Sequence, residues 1–506
     1  MKLLFAALFA AFLNIAFAQD KPVGIFTNHA DVGNPKMAGT TQYDEATQSY
    51  TVIGGGYNIW FNRDEFQFAY KKMGGDFILT ANFEFIGDTG NNHKKVGWMI
   101  RQNLDDAAPH MSAVSHRDGL TVLQWRVLRG AYMRDPEDEI PTQKKHFQVI
   151  QLERAGKKII MRVANWGEPL QEVGSHDMPD MPDSVLAGLF FCAHDSSSTG
   201  EARVWNVRID KPVANNYTER QGALGSRLEI LNVTDGSRKV IHEAPGRFEA
   251  PNWMPDGKKL LFNEGGALYT ISIEGGETQK LNTGSATNCN NDHGISFDGK
   301  MLAISSGRSG LPGGGSTVYV LPLEGGEPKL ITEKTPSYWH GWSPNGKDVA
   351  FVAQRGSNIF NLYKIGVNGG PEIALTTNTT GHVDGPEYSP DGKYIYYNAN
   401  PTGTMQIWRM KPDGSDKEQI TFDEYHNWFP HISPDGKWMV FISFPIDIDP
   451  NAHPSYKLVM LRLMPLTSAG APKVIAYLYG GQGTLNAPSW SPDSKYIAFV
   501  SNSEKK

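Results

Sequence analysis

Four histidines keep fixed distances from a turn that recurs through the C-terminal half of this chain. His293 and His340 stand five residues ahead of Asp298 and Asn345, and His382 and His426 stand nine ahead of Asp391 and Asp435. A neutral imidazole is a common ligand for divalent metals and a proton carrier near neutral pH. Equal spacing within a repeat predicts equal placement in space, so these rings would meet at one end of the array and suit a shared divalent metal. Asp292, Asp384, Glu387 and His431 lie in the same segments and would add ligand-binding groups beside them. The plainer alternative is that all these polar groups bond loop backbone where strands begin.

A second constellation lies in the N-terminal half, where Trp98, Arg101, His116, Gln124, Trp125, Arg126 and His194 mix aromatic and polar groups within apolar runs. A sugar site needs this mixture, an aromatic plate for the C–H face of a pyranose and planar groups for its hydroxyls. Gln124 and Trp125 are neighbours and point to opposite faces of any strand, so part of the set at most lines one site. The plainer reading makes the tryptophans core residues. No recognisable carboxylate pair for glycoside hydrolysis occurs, nor a G-x-S-x-G elbow, a P-loop or an H-E-x-x-H helix.

Hairpins would position the histidines. One segment recurs six times: APNWMPDGKKLLF from Ala250, HGISFDGKMLAI from His293, HGWSPNGKDVAF from His340, GPEYSPDGKYIYY from Gly385, PHISPDGKWMVF from Pro430 and APSWSPDSKYIAF from Ala487. Its turn residues are Asp256, Asp298, Asn345, Asp391, Asp435 and Asp493, a spacing that suits a four-stranded propeller blade. In Ser-Pro-Asp-Gly, Pro presets φ, Asp caps the turn through its side chain, and Gly takes the positive φ that completes it. A second hairpin follows in each copy, with turns such as Glu274-Gly275-Gly276, Asn368-Gly369-Gly370 and Asp413-Gly414-Ser415.

The last copy stops after its first hairpin, and a lone second hairpin, RLEILNVTDGSRKVI, precedes the first copy. Joined, the two make a sixth blade of two strands plus two and remove the open edges of the array. The SPDGK-type hairpins and Gly-Gly turns resemble the TolB family of propellers over about residues 220–506. That resemblance implies an envelope scaffold that binds a peptidoglycan-associated lipoprotein. TolB itself carries a small α/β domain ahead of its propeller, and this chain has strand-rich sequence there instead. The histidine pattern also resembles in outline the metal-dependent oligogalacturonate lyases.

Residues 20–215 read as strands throughout, among them GDFILTANFEF, SVLAGLFFCAH and a hairpin FQVIQLERAGKKIIMRVAN about Ala155-Gly156. They resemble concanavalin-like, laminin-G-like jelly rolls. The expected fold is therefore all-β, an antiparallel β-sandwich over residues 20–215 followed by a six-bladed propeller over 220–506.

The chain opens with Lys2, an apolar stretch from Leu3 to Phe12, and Ala16-Phe17-Ala18, which together read as a cleavable signal peptide over residues 1–18. No later run is apolar and long enough for a membrane helix, so the mature protein is expected in the periplasm or outside the cell. A net charge of −6 argues against a nucleic-acid partner. Cys192, in an apolar run, and Cys289, in a polar loop, read as free thiols. The function expected is non-enzymatic binding: a glycan or envelope polymer at the sandwich, and an oligosaccharide or envelope protein at the propeller. The alternative is a metal-assisted carbohydrate lyase or hydrolase working at the propeller mouth.

Overall fold

The Ser-Pro-Asp-Gly turns close through their own side chains. Ser433 Oγ donates to Asp435 Oδ1 at 2.6 Å, the same oxygen accepts from Lys437 N at 3.0 Å, and Trp438 N donates to Ser433 Oγ at 2.9 Å. Gly436 completes the turn at φ +71°. Ser343 with Asn345, Ser389 with Asp391, and Ser491 with Asp493 repeat the arrangement. Each turn hands the chain from the innermost strand of a blade to the next strand out.

The computed structural model describes residues 22–218 and 221–504, so the signal peptide expected at residues 1–18 lies outside the described residues. Five antiparallel four-stranded sheets follow in chain order, with innermost strands Phe248–Trp253, Cys289–Ile295, Ser337–Trp342, Val383–Tyr388 and His426–Ile432. The sixth joins the two ends of the propeller. Strand Gly225–Asn232 pairs with Tyr496–Ser503 over its whole length, from Gly225 opposite Ser503 to Asn232 opposite Tyr496. Arg238–Ala244 lies outside that pair, and a bridge from Trp490 to Ile497 supplies the innermost position. Two strands from the start of the propeller, and one strand with the Trp490 bridge from its end, thus complete the ring.

Neighbouring blades share their cores. Ala303, Val318 and Val320 of the second blade bury against Trp339, Trp342 and Phe351 of the third. The innermost strands carry β-bulges, with the extra residues falling after Glu249, Cys289, Trp339, Asp384 and Trp428. A bulge re-aims side chains, and these bulges decide which groups face the channel.

Ahead of the propeller stand two seven-stranded sheets. One contains Lys95–Arg101, His110–His116, Thr121–Arg126 and Val185–Cys192, and the other contains Phe77–Ile86, Val149–Ala155, Lys158–Ala164 and Gly200–Asp210. Phe77, Leu79 and Phe83 of the second pack with Trp98, Ile100 and Leu189 of the first in one buried cluster. The hairpin about Gly156 forms as its alternation predicts, with Ala155 opposite Lys158. Both cysteines are free and buried. Cys289 is therefore no loop thiol, since it opens the innermost strand of the second blade. No helix among the described residues is long and apolar enough to cross a membrane.

Candidate functional site

The starts of the innermost strands meet at one mouth of the propeller channel, around a cavity of about 390 Å³. All six blades contribute, through Glu249, Asp292, His340, Asp384, Phe429 and Asn486 among others. The insertion between Pro445 and Pro454, which lengthens the last repeat interval, adds His453.

Asp384 is the hub. Three imidazoles turn their Nε2 atoms toward its carboxylate, His340 at 3.0 Å, His382 at 3.6 Å and His453 at 3.8 Å. Burial opposes the charge of Asp384, but His340, with His382 beside it, holds its carboxyl well below the usual range. Burial likewise disfavours a charged His340, yet Asp384, with Asp292 and Glu387, raises it above an ordinary histidine. The pair is therefore an ion pair near neutral pH. Burial pushes Asp292 up to about 7; His340 opposes that rise, while Asp384 and Glu249 add to it. His453 is lowered, chiefly by burial.

The four histidines of the repeat do not assemble. His340 and His382 line the cavity, whereas His293 and His426 are buried elsewhere between strands. His293 Nδ1 lies 2.7 Å from Asn252 Oδ1, and His426 Nδ1 accepts from Met405 N at 3.2 Å. Among the described residues, no three His, Cys, Asp or Glu side chains are arranged to hold a metal ion. The expected divalent-metal set of His293, His340, His382 and His426 is thus corrected. Two of its members help enclose a carboxylate, and a third imidazole, His453, comes from an insertion with no repeat spacing to reveal it.

Glu387 and His431 do come together, but as a satisfied pair inside the channel. His431 Nδ1 is 2.5 Å from Glu387 Oε2, its Nε2 is 2.9 Å from Leu485 O, and Glu387 Oε1 accepts from Ile432 N at 2.8 Å. They tie the fourth, fifth and sixth blades together and leave little capacity for a ligand.

Comparison with known proteins places this architecture. Residues 217–358 and 314–448 match the family model for the TolB beta propeller domain. An uncharacterized protein of Agrobacterium fabrum is 46% identical over 280 residues, which cover 55% of this chain and 93% of its own length. The chain belongs to the TolB β-propeller family. A solved structure from Agrobacterium tumefaciens, described as a TolB candidate, shares 45% identity at a TM-score of 0.52 and covers 56% of this chain and 99% of its own. A Tol-Pal system protein TolB of Francisella tularensis is 25% identical over 225 residues, 42% of this chain and 50% of its own, so this chain spans half of that relative.

At the opposite mouth of this TolB-type propeller, Trp253, Trp342, Tyr388 and Trp490 line an aromatic hollow of about 460 Å³ with the turn prolines Pro255, Pro390, Pro434 and Pro492. The two mouths differ sharply in chemistry, one polar and charged, the other aromatic.

The constellation predicted ahead of the TolB-type propeller turns inward. Trp98 is fully buried between the two sheets. Arg126 grips Asp64 with both terminal nitrogens at 2.8 Å, and Arg101 approaches the same carboxylate at 3.5 Å, all three side chains without exposure. Gln124 donates to Glu139 at 3.0 Å, and Trp125 stacks on His176. His116 is buried with Nδ1 3.2 Å from Leu120 O, while the half-buried His194 meets Asn91. Trp98 and Trp125 pack toward the second sheet, the other residues are held by the first sheet and its adjoining loops, and together they do not form a shared face open to a sugar.

Proposed function

We propose that the protein is an exported, non-enzymatic binding protein of the cell envelope that takes an oligosaccharide at the polar mouth of its propeller. The observation that carries this reading is the lining of that mouth. Amides of Asn290, Asn291, Gln482 and Asn486, carboxylates of Asp292 and Asp384, and rings of Tyr338, Phe360 and Phe429 surround one cavity. Amides and carboxylates bond hydroxyls in pairs, and rings cover the apolar face of a pyranose. The imidazoles are engaged with Asp384, which favours binding over metal-assisted lysis. The Francisella relative is named for the Tol-Pal system, and that agrees with an envelope setting. In this reading residues 1–18 are a cleaved signal, residues 20–215 form a concanavalin-like jelly roll that acts as a scaffold, and residues 220–506 are the binding unit.

A glycan array probed with the purified mature protein tests the proposal. Binding that falls at least about tenfold on changing Asn291 and Asn486 to Ala together supports the mouth as the site. Binding untouched by that double variant, or no binding at all, overturns it. N-terminal sequencing of the exported protein tests cleavage after Ala18.

A further inference from the structure

Among the described residues, one carboxylate at the mouth, that of Asp292, has no ion-pair partner of its own. Of the mouth's three acids, Glu249 pairs with Arg247, and Asp384 is enclosed by His340, His382 and His453. Asp292 is 7% exposed and lines the cavity. The groups that face it are His340, already engaged by Asp384, and Asp384, Glu249 and the Asn290 amide. Tyr338 also feels the negative field of Asp292 and Asp384. A buried acid in such surroundings calls for a cation or a proton.

We propose that Asp292 receives the ammonium group of an amino sugar bound at the mouth. Three features of the cavity favour this chemistry. Tyr338, Phe360 and Phe429 line it, and aromatic faces attract an organic cation. The Asn291 amide and the amide N–H groups of Asn290 and Gln482 serve hydroxyls around a pyranose, which a simple alkylamine would leave unused, while Asn486 holds Gln482 and Gly483 in place. The acids around Asp292 are not arranged for a metal ion, whereas an ammonium needs a single carboxylate and neighbouring acceptors. This inference rests on the reading of the polar mouth as the binding site and names the class of sugar it selects.

The experiment is isothermal titration at pH 6.5, where glucosamine amines carry a proton, of the mature protein and of Asp292→Asn with three probes: a β-1,4-linked glucosamine tetramer, the fully N-acetylated tetramer, and trilysine. The amino tetramer is expected to bind best, and Asp292→Asn is expected to weaken it roughly 30-fold or more, as loss of one partner of a buried charge pair does. The acetylated tetramer should bind weakly and be indifferent to the substitution. Equal binding of both tetramers, unaffected by Asp292→Asn, overturns the ammonium site and leaves the mouth reading intact. Binding of trilysine alone overturns the amino-sugar class. Binding of none of the three overturns the inference, and the array then decides separately whether the mouth binds any sugar. Circular dichroism melting of Asp292→Asn verifies that the variant is folded, and the unaltered acetylated-tetramer response gives a second check that the site is intact.

Discussion

Arg208, in the last strand of the two-sheet half, donates from Nε at 3.1 Å and from Nη2 at 2.6 Å to a single oxygen of Glu229 in the first strand of the propeller. Arg238 reaches the same carboxylate from Nε at 3.1 Å and Nη2 at 2.9 Å, and Ser501 Oγ donates to it at 2.5 Å. Glu229 has no exposure, and it links the N-terminal half, the first propeller strand and the last. Arg227, which pairs with Asp210, stands beside it.

Glu229→Gln leaves two buried guanidinium groups without their counter-charge. The expected cost is about 3 to 5 kcal/mol, read as a lower midpoint in guanidinium chloride. Burial raises the carboxyl of Glu229, but Arg208 and Arg238 prevail and hold it far below its ordinary 4.5. A carboxyl depressed in the folded state contributes stability above its unfolded value, and that contribution is lost as pH falls through the folded value. Wild-type stability should therefore fall as pH drops below 4.5, and the fall should be shallower in Glu229→Gln. Parallel slopes in the two proteins would remove the Glu229 cluster as the cause.

His340 and His453 share one mouth and should titrate in opposite directions. Proton NMR of the imidazoles should place His340 above the ordinary 6.5 and His453 below it. The raised His340 contributes stability that is complete below 6.5 and is lost as pH rises through its folded value. Asp384→Asn removes the main group that favours the charged ring and leaves burial to dominate, so His340 should then move below 6.5. A His340 that stays high in Asp384→Asn would mean that Asp384 is not its partner.

Gly294 precedes the end of the second blade's innermost strand, where the third blade comes closest. A Cβ built at Gly294 would lie 2.0 Å from Cη2 of the buried Trp339. Gly294→Ala must therefore displace an indole that packs with Val318 and Phe351. The expected loss is about 1 to 3 kcal/mol, measured by urea unfolding followed through tryptophan fluorescence. An unchanged midpoint would show that the blades slide apart freely.

The repeat made the propeller legible because each copy states its turn, its strands and its place in the ring. Closure by both ends followed from counting hairpins alone. Orientation within the innermost strand did not follow, and His293 and His340 show why. They stand at the same distance from their turns, but the bulges differ. His293 sits in register opposite Ile304, whereas His340 is the extra residue between Trp339, opposite Phe351, and Gly341, opposite Ala350. One added residue turns a side chain to the other face, so one ring reaches the mouth and the other is buried. His453 was invisible for a different reason, since it arrives on an insertion outside the repeat. In the N-terminal half, residue type could not separate a binding face from a core, and Arg101 and Arg126 proved to be partners of the buried Asp64.

Ring closure yields the last prediction. Among the described residues, strand Gly225–Asn232 finds its inner partner in Tyr496–Ser503, through eight paired positions. A chain truncated after residue 487 would lose that partner together with the Trp490 bridge, and would expose the backbone donors and acceptors of the 225–232 strand. It would also uncover Leu228, which is buried beside Ala498 and Val500, and would leave Glu229 without Ser501. An open, apolar strand edge recruits other chains, so the truncated protein should elute as aggregates in size-exclusion chromatography while the full chain does not. Adding back residues 488–506 as a peptide should compete for the edge and lower the aggregated fraction. Truncated protein that elutes as a folded species of its own mass would show that the closing strands do not seal the ring.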